Sequence, residues 1–467
     1  MKVNFKLTET QFEELKSHLH PGDGLEAIAF GLCGRLNNSK SNTLLLHELF
    51  LLPHNECERA YDFVKWKIDS VEHLLEKALE NDFAIVKIHS HGIINSDFSN
   101  LDDKSDKDFF ECVYAWVDTD LPHLSLIMYP DGSFKGRSID NKLEFHDLSS
   151  LNIVGEKFVK KDFTENSYYK EIEKYIERNK QAFGNKTTDI LSSLKIGIVG
   201  CSGTGSPTIE QLVRLGVGKI LLVDNDRGEL ANMNRIYGLK MEDAASHKLK
   251  VEAIKEHIES IGFGTEVTIM PYLVQDSQKA IDELASCDII FGCVDSAEGR
   301  HILNLISHYY LVPLIDLGVK FRANGFGGIE SINGNIHYVF PGSASLLQRK
   351  VYSSKLLADE ELRRTDSEEY INRKQYFDNA EVSSPAVISV NTLISALGVC
   401  EMLSRIHPYR YSDNSNYCST HLNLCDWDIS YDTINVENSR FFGIDTLGIG
   451  NKQPLIRINH EKDSQVV

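Results

Sequence analysis

Apolar and polar positions alternate in a regular strand–helix order through the middle of the chain. An apolar run at residues 194–199 is followed by a glycine-rich turn, a helical pattern that ends near Leu215, and a second apolar run at 219–223. The same alternation continues to about Ile315. Strands that alternate with helices predict a parallel sheet with helices on both faces. We therefore expect a doubly wound α/β domain over residues 191–410.

The first 150 residues have a less regular pattern. Residues 27–32 and 83–88 are apolar runs of strand length, and residues 70–80 carry apolar side chains at helical spacing. Strands and helices mixed in this way are typical of an α+β fold. We expect a separate α+β domain over residues 1–150.

Three further segments differ from these two domains. Residues 151–190 become polar and charged, with apolar positions at helical spacing near Tyr175, and predict a helical connector. Residues 341–384 are rich in Ser, Glu, Arg and Lys, which indicates a long crossing loop or helical excursion. An apolar helix is expected from Pro385 to Leu403, and residues 411–467 are expected to form a polar C-terminal tail.

Composition narrows the class of protein. The 467 residues are 42% hydrophobic, which is enough for several buried cores, and the net charge of −19 argues against nucleic-acid binding. No apolar run is long enough to cross a membrane, and the first residues lack the apolar core of a signal peptide. The nine cysteines include no C-x-x-C pair, so we expect reduced thiols and no structural zinc. A cytoplasmic protein is the resulting prediction.

Candidate metal ligands follow the apolar run at 83–88. His89 and His91 lie two apart, so on a strand both imidazoles face the same side and can reach one ion. Asp102 would supply a third ligand and leave a fourth position for a water molecule, which zinc activates at neutral pH. The alternative is a strand that simply ends in solvent-exposed histidines. The Ser-x-x-Asp spacing of Ser99 and Asp102 favours the metal site.

The segment H-x-H-G, six residues, then S-x-x-D resembles the signature of the JAB/MPN (JAMM) metalloprotease family. The resemblance covers about residues 3–145. It implies that His89, His91 and Asp102 bind zinc. It also implies that Ser99 helps to hold the tetrahedral intermediate of peptide-bond cleavage.

That family also has an upstream glutamate that acts as general acid and base. Glu26 is the best match for this glutamate, and Glu48 is a rival. Gly92 stands where the family usually has proline, which loosens the turn but removes no ligand. The resemblance implies zinc-dependent cleavage after the terminal glycine of a carrier protein.

A glycine cluster marks the turn after the apolar run at 194–199. Glycines allow the backbone to approach a phosphate group, and the N-terminus of the following helix attracts its negative charge. About 20 residues further on, Asp224 and Asp226 end the next strand, where a carboxylate can bind a ribose hydroxyl. Nicotinamide-dependent enzymes share this arrangement. The expected nucleotide-binding residues here are Gly200, Gly203, Gly205, Asp224 and Asp226.

Polar residues further along the chain distinguish a nicotinamide-dependent enzyme from an adenylyltransferase. Asn232, Arg235, Lys250 and Asp295 follow in order, and a hydride-transfer enzyme does not need such a set. Attack of a carboxylate on an α-phosphate must offset crowded negative charge, which explains the cations and a metal-binding aspartate. The constellation therefore favours adenylyl transfer.

Over about residues 165–410 the chain closely resembles the ThiF/MoeB/ubiquitin-activating superfamily of adenylyltransferases. The resemblance implies that Asp224 holds the ribose of ATP and Asp295 holds Mg²⁺. It also implies that three side chains bind the phosphates: Asn232, Arg235 and Lys250. Lys248 is a rival for the role of Lys250. The departures from the family pattern are Gly228, Met233 and Ile236.

The same resemblance extends to an R-x-x-x-x-x-G segment that begins at Arg178. It implies that Arg178 reaches into the ATP site of a partner subunit, and hence a homodimer; an ordinary solvated helix charge is the alternative. Members that form a thioester usually carry a cysteine near the crossing loop, but residues 341–384 contain none. Cys400 is expected in the core and Cys418 and Cys425 at the surface, and we assign no cysteine as a thioester nucleophile.

A peptidase and an adenylyltransferase in one chain are complementary, because one exposes a C-terminal carboxylate and the other activates it. The resemblance implies a ubiquitin-like carrier with a C-terminal glycine and a separate conjugating enzyme. Such fusions resemble components of bacterial conjugation systems associated with phage defence. Two alternatives stay open: activation of a sulfur-carrier protein for thio-cofactor synthesis, and a catalytically silent nucleotide-binding scaffold.

Overall fold

A computed structural model describes most of the chain. The described residues are 2–38, 41–163, 176–324, 326, 328–366, 370, 386–433 and 442–451. The chain divides into two units. The first consists of residues 1–165, 309–311 and 443–453, and the second of residues 166–308, 312–442 and 454–467.

The first unit is built on one large sheet. Its strands are β1 (Lys2–Thr8), β2 (Ile28–Asn37), β3 (Ser41–Leu51), β4 (Glu58–Arg59), β5 (Val64–Lys65), β6 (Ala84–Ser90), β7 (His123–Met128), β8 (Phe134–Ile139), β9 (Phe145–Asp147), β10 (Ser150–Val154) and β11 (Phe158–Asp162). Nine of them pair in the order β11-β10-β1-β3-β2-β6-β7-β8-β9, and β4 pairs with β5 in a separate ribbon. The sheet is mixed: β1 is parallel to β10 and β3, whereas β2 is antiparallel to β3 and β6.

Three helices accompany this sheet: α1 (Glu9–Leu19), α2 (Glu72–Asn81) and α3 (Asn100–Trp116). Helix α1 begins with a capping box in which Thr8 and Gln11 satisfy each other's backbone N–H groups. Alternate strand residues such as Phe5 and Leu7 are fully buried in the core with Leu15 of α1. Period-two burial of this kind makes the strand register specific.

The second unit contains the doubly wound sheet. Its strands are β12 (Lys195–Val199), β13 (Lys219–Val223), β14 (Glu266–Met270), β15 (Ile289–Gly292), β16 (Leu314–Ala323), β17 (Ile329–Val339), β18 (Ser419–Asn423) and β19 (Asp428–Asp432). They pair in the order β14-β13-β12-β15-β16-β17-β18-β19. Strands β12 to β16 are mutually parallel, and β17, β18 and β19 add antiparallel partners. The predicted parallel α/β sheet is therefore confirmed.

The helices of the second unit follow its strands along the chain. They are α4 (Glu177–Ser193), α5 (Gly205–Arg214), α6 (Met241–Ala245), α7 (Lys250–Ile261), α8 (Gln278–Ala285), α9 (Ala297–Tyr310), α10 (Ser354–Thr365) and α11 (Ile388–Ile406). The chain passes from β12 to β13 on one side and returns to β15 on the other, so the strand order reverses at β12. Ligands of open α/β sheets bind at such a reversal, beyond the carboxyl ends of the strands.

Two expected segment boundaries differ from the structure. The predicted helical connector over 151–190 is instead strand at its start, because β10 and β11 extend the first sheet beyond residue 150. The expected tail 411–467 supplies the β18–β19 hairpin to the second sheet, and its residues 443–451 belong to the first unit. In the first unit, the Asn451 N–H donates to the Arg35 carbonyl oxygen at 3.0 Å.

The remaining segment predictions concern helices. The apolar helix expected from Pro385 to Leu403 is α11, although Pro385 itself lies outside the described residues. The crossing segment contributes α10 before it leaves the described residues at 367, and the helical pattern near Tyr175 also lies outside them. Among the helices of the described ranges, none combines the length and apolar content needed to cross a membrane.

Candidate functional site

The two histidines and the aspartate of the H-x-H and S-x-x-D segments meet in the first unit. Nε2 of His89 lies 3.1 Å from Nε2 of His91 and 3.1 Å from Oδ1 of Asp102. Nε2 of His91 lies 3.4 Å from Oδ2 of the same carboxylate. All three ligand atoms are within 4.8 Å of one another. His89 is the penultimate residue of β6 and Asp102 lies in the first turn of α3, so a strand end and a helix start build the cluster together.

Glu26 lies beside this cluster. It precedes β2 by two residues, and β2 pairs with β6 so that Ile28 is opposite His89. Oε1 of Glu26 is 3.9 Å from Nε2 of His91, and the residue is only 7% exposed. Burial raises the pKa of Glu26 to about 7, against the opposing attraction of His91. A carboxyl group with such a pKa can both accept and donate a proton near neutral pH.

The rival glutamate lies elsewhere. Glu48 is on β3 and forms an exposed ion pair with Lys77, with Oε1 and Nζ 2.7 Å apart. Of the two glutamates, the structure therefore brings only Glu26 to the histidines.

The carboxylate of Asp102 is oriented by the start of α3. Ser99 is the N-cap of the helix, and its Oγ accepts from the Asp102 N–H at 3.1 Å. The Ser99 hydroxyl and backbone N–H both donate to Oδ2 of Asp102, at 2.8 and 2.7 Å. Burial by itself raises the pKa of Asp102, but hydrogen bonds with His89 and His91 outweigh it and leave the pKa below its usual range.

A buried ionic network holds α3 against the sheet. Lys87 lies two residues before His89 on β6, and its Nζ donates to Oδ1 of Asp106 at 2.8 Å. Arg137 of β8 donates to Oδ2 of Asp106 at 2.7 Å and to Oδ1 of Asp103 at 2.5 Å. Asp106 is fully buried, and it follows Asp102 by one helical turn. The network therefore fixes the helix turn that carries the third candidate ligand.

The second unit has a cavity of about 610 Å³ at the carboxyl ends of β12, β13 and β15. The glycine turn after β12 forms one wall. Gly200 has φ of +89°, and a Cβ atom on Gly205 would lie 1.9 Å from the Gly200 carbonyl oxygen. A side chain at either position would disrupt the turn, so these glycines are required by conformation and contact.

The two predicted ribose-side carboxylates are arranged around this turn. Oδ2 of Asp224 accepts from the Cys201 N–H at 2.7 Å, and its Oδ1 accepts from the Asp226 N–H at 2.8 Å. Burial raises the pKa of Asp224, although Lys250 opposes the shift. The Lys250 ammonium donates to Oδ2 of Asp226 at 2.7 Å. Both carboxylates and the lysine line the cavity.

Of the two candidate lysines, only one lies at the cavity. Lys250 is 5% exposed and lines it. Lys248 instead pairs with Glu256 at 2.5 Å and Asp243 at 3.4 Å, away from the lining residues. The structure therefore favours Lys250 over Lys248.

Asn232, Arg235 and Asp295 also line the cavity. Oδ1 of Asn232 accepts from the Glu229 N–H at 3.1 Å, which holds the short helical turn that precedes Arg235. The Arg235 guanidinium donates to the Ala231 carbonyl oxygen at 2.7 Å. Asp295 is exposed at the end of β15. Every predicted nucleotide residue except Arg178 thus reaches one cavity or the turn that forms its wall.

Arg178 lies exposed in the first turn of α4. Its assignment to a partner subunit therefore stays a prediction.

Two polar residues at the cavity received no role from the sequence. Arg300 donates to a carboxylate oxygen of Asp316 at 3.1 Å and to the Asp295 carbonyl oxygen at 3.3 Å, so it ties the end of β15 to β16. Asn391 of α11 also lines the cavity. Both occur in stretches that resemble the superfamily, but their roles depend on contacts between distant segments.

The cysteine expectations need two corrections. Cys400 is exposed and not in the core, and Cys418 is buried and not at the surface. Helix α11 presents Cys400 outward although its neighbours are apolar, and Cys418 is buried immediately before β18. Cys425 is exposed as expected.

Curated proteins with the same name, from different animals, are similar to part of this chain. Ubiquitin-like modifier-activating enzyme 5 of Gallus gallus is 29% identical over 168 residues, which is 34% of this chain and 40% of that protein. The Mus musculus enzyme of the same name is 30% identical over 158 residues, 32% of this chain and 37% of the relative. The chain thus spans about two fifths of the length of the curated relatives it matches.

Among solved structures, E. coli MccB with succinimide aligns with a TM-score of 0.46 and 18% identity, covering 59% of this chain and 75% of that chain. A sequence model of the ThiF family matches residues 176–440, which is more than half of the chain. The matched range contains the glycine turn, the paired carboxylates and the basic residues of the cavity. The chain belongs to the ThiF family.

Proposed function

We propose that the second unit transfers AMP from ATP to the C-terminal carboxylate of a ubiquitin-like protein that ends in glycine. In this reaction a carboxylate oxygen attacks the α-phosphorus, the bond between that phosphorus and the α,β-bridging oxygen breaks, and pyrophosphate leaves. The observation that carries the proposal is the convergence of a glycine turn, two carboxylates and two basic side chains on one cavity. The relatives named ubiquitin-like modifier-activating enzyme 5 support the kind of substrate.

In this proposal, different residues of the cavity bind different parts of ATP. Asp224, held by the backbone of the glycine turn, would accept a hydrogen bond from a ribose hydroxyl. Lys250 and Arg235 supply positive charge against the phosphates as negative charge shifts to the leaving pyrophosphate. Asp295 is the candidate Mg²⁺ ligand, and bound Mg²⁺ would neutralise phosphate charge. Asn232 shapes the turn that carries Arg235.

ATP–pyrophosphate exchange tests the adenylation step. We expect exchange when the protein is mixed with ATP, Mg²⁺ and a panel of small ubiquitin-like proteins that end in glycine. The same proteins without that glycine are the matched control and should give none. Bound ATP without exchange for any member of the panel would contradict the proposal and favour the nucleotide-binding scaffold.

Mass spectrometry of the carrier identifies the next step. A carrier joined to lysine in the presence of a conjugating enzyme supports ubiquitin-like conjugation. A thiocarboxylate formed with a sulfur donor supports the sulfur-carrier alternative, with which the lack of cysteine in residues 341–384 is compatible.

We also propose that the first unit is a zinc-dependent peptidase of the JAB/MPN type. The observation in its favour is the cluster of two imidazoles and one carboxylate with Glu26 at its side. Three nitrogen and oxygen donors are the set found in catalytic zinc sites, which keep a position open for water. The residues therefore fit zinc, and His89, His91 and Asp102 would hold it. When bound, zinc supplies Lewis acidity that activates water and polarises a carbonyl group.

The surrounding residues would perform the proton transfers and orient the ligands. Burial places the pKa of Glu26 near neutrality, so its carboxyl group can take a proton from water and return it to the leaving amine. The Ser96 hydroxyl is 2.8 Å from Nδ1 of His91, which leaves Nε2 of that ring toward the cluster. Ser99 orients Asp102 through the capping box.

Metal analysis and a cleavage assay test this second proposal. We expect about one zinc per chain, and cleavage of a carrier precursor extended beyond its glycine. Asp102→Ala should lose both. The matched control is Asp108→Ala, which removes an exposed carboxylate of the same helix and should change neither. Cleavage that persists in Asp102→Ala would contradict the proposal.

A further inference from the structure

Helix α11 places one polar side chain in the nucleotide cavity. Asn391 lies in its first turn, is 4% exposed, and lines the cavity. No hydrogen bond joins its carboxamide to any residue within the described part of the chain. Because the residue lines the cavity, its carboxamide is available to a ligand or to water there.

Two contacts hold this part of α11 firmly against the nucleotide machinery. The Ser395 hydroxyl donates to the Thr204 carbonyl oxygen, within the glycine turn, at 2.7 Å. The Thr392 hydroxyl lies 3.1 Å from the Tyr237 hydroxyl, two residues beyond Arg235. Asn391 therefore occupies a preset position between the glycine turn and the segment of Arg235.

The position of Asn391 along the turn identifies the part of the ligand it faces. The turn holds Asp224, the ribose-side carboxylate, through the N–H of residue 201. Asn391 lies against Gly203: a Cβ atom there would be 2.5 Å from its Nδ2, and 3.8 Å from Cδ of Arg235. In ATP the group joined directly to the ribose is the α-phosphate. The side chain that follows the ribose carboxylate along the turn is therefore nearest to that group.

We propose that the Asn391 carboxamide donates a hydrogen bond from Nδ2 to an oxygen of the α-phosphoryl group, at the phosphorus that the carboxylate attacks. This assignment rests on the proposed adenylyl transfer. A neutral donor suits this position, because it binds a phosphoryl oxygen without repelling the incoming carboxylate. It also forms no tight ion pair that would retain the acyl adenylate.

Nucleotide binding by the full chain tests this assignment with ATP, AMP and adenosine, all in the presence of Mg²⁺. Asn391→Ala should weaken ATP and AMP binding by about 10-fold or more, the typical loss of a hydrogen bond to a charged group. Adenosine has no phosphate, so its affinity should stay within about twofold. Asn391→Asp should weaken ATP further, since it places a carboxylate against the phosphate. Ser389→Ala, an exposed change on the same helix turn, is the matched control and should leave all three affinities unchanged.

The possible outcomes separate the explanations. Loss of adenosine affinity in Asn391→Ala would show that the residue only supports the turn, and would overturn the assignment. Loss of ATP but not AMP affinity would move the contact to the outer phosphates, which also overturns it. Unchanged ATP affinity in Asn391→Ala would also overturn the assignment of Asn391, but it would leave the adenylyl-transfer proposal intact. If the unaltered chain bound no ATP, that proposal would fail and this assignment with it.

Discussion

Position 205 requires glycine because there is no room for a side chain, and not because the backbone there needs to be flexible. Its Cα faces the Gly200 carbonyl oxygen so closely that a methyl group would lie 1.9 Å from it. We expect Gly205→Ala to push the turn outward and to weaken ATP binding by at least about 10-fold, because the turn backbone is the phosphate cradle. Isothermal titration with ATP measures the effect.

Gly262→Ala is the control for that substitution. Gly262 ends α7 at φ of +77° with open space around its Cα, so alanine there strains the backbone by about 1 kcal/mol without touching the cavity. Its melting temperature should fall while its ATP affinity holds. Equal ATP affinities for Gly205→Ala and the unaltered chain would contradict the predicted role of the turn.

The raised pKa of Glu26 predicts a pH dependence of stability for the metal-free protein. The pKa is about 7 in the folded chain against 4.5 for the free side chain, because burial disfavours the charged form. The folded state therefore binds the extra proton, and its stability is full below pH 4.5 and decreases as the pH rises through 7. Glutamine does not ionise, so Glu26→Gln removes this decrease in stability at high pH. After screening by nearby water, we expect about 2 kcal/mol in favour of the variant above pH 7.

Melting temperatures of both forms between pH 5 and 8, after chelation, check this expectation. The two should nearly coincide at pH 5, and the variant should melt at the higher temperature at pH 8. A difference that stays constant across the range would contradict a buried, protonated Glu26.

At the scale of elements, α3 is attached to the first sheet through Arg137. The guanidinium lies between the rings of Phe98 and Phe145, 3.8 and 3.7 Å from their centroids, and pairs with Asp103 and Asp106. Arg137→Met keeps the volume but leaves Asp106 with Lys87 as its one remaining cation among these residues. We expect a loss of about 2–4 kcal/mol in the free energy of unfolding. A broken buried ion pair typically costs about 3–5 kcal/mol, and the remaining contact with Lys87 reduces the cost here.

The same substitution should affect the candidate zinc site. If α3 moves, Asp102 moves with it, and we expect zinc affinity to fall by about 10-fold or more. Urea unfolding and zinc titration measure the two effects. Lys77→Met is the control: its ion pair with Glu48 is exposed, so the cost should be under about 1 kcal/mol, with zinc affinity unchanged. Unaltered zinc binding in Arg137→Met would show that the network is not needed to place Asp102.

Elements whose pattern is local were predicted well. The strand at 219–223 has the predicted bounds, and α11 lies within three residues of its expected ends, because apolar periodicity alone specifies them. The strands β10, β18 and β19 were not predicted. They are short, and the strands that join β10 and β18 to the rest of their sheets lie more than 80 residues away in the chain. Tertiary pairing decides such strands, and no local pattern reports it.

At the scale of the whole molecule, the two candidate sites predict separable activities. The candidate zinc ligands lie in the first unit, and the candidate ATP-binding residues lie in the second. His89→Ala should reduce zinc affinity by at least about 100-fold and leave ATP affinity within about twofold. Lys250→Ala should do the reverse, with ATP binding weakened by about 10-fold or more, because the phosphates lose a buried cation.

Metal content and ATP titration of both variants measure this pattern. A variant that loses both activities while keeping its melting temperature would show that the sites are coupled. If Lys250→Ala keeps its ATP affinity, Lys250 does not bind the phosphates.

The amino-acid order by itself determined the parallel α/β sheet, the glycine turn and the identity of the residues that meet in each site. These features depend on short spacings: two residues on a strand, three on a helix, a few glycines in a turn. Only the tertiary structure showed that Glu26 and not Glu48 lies beside the histidines, and that Lys250 and not Lys248 lines the cavity. It also decided the exposure of Cys400 and Cys418. Those outcomes depend on which strand or helix packs beside another. Asn391 acquired a place in the nucleotide cavity for the same reason, since α11 and the glycine turn are nearly 190 residues apart in the chain.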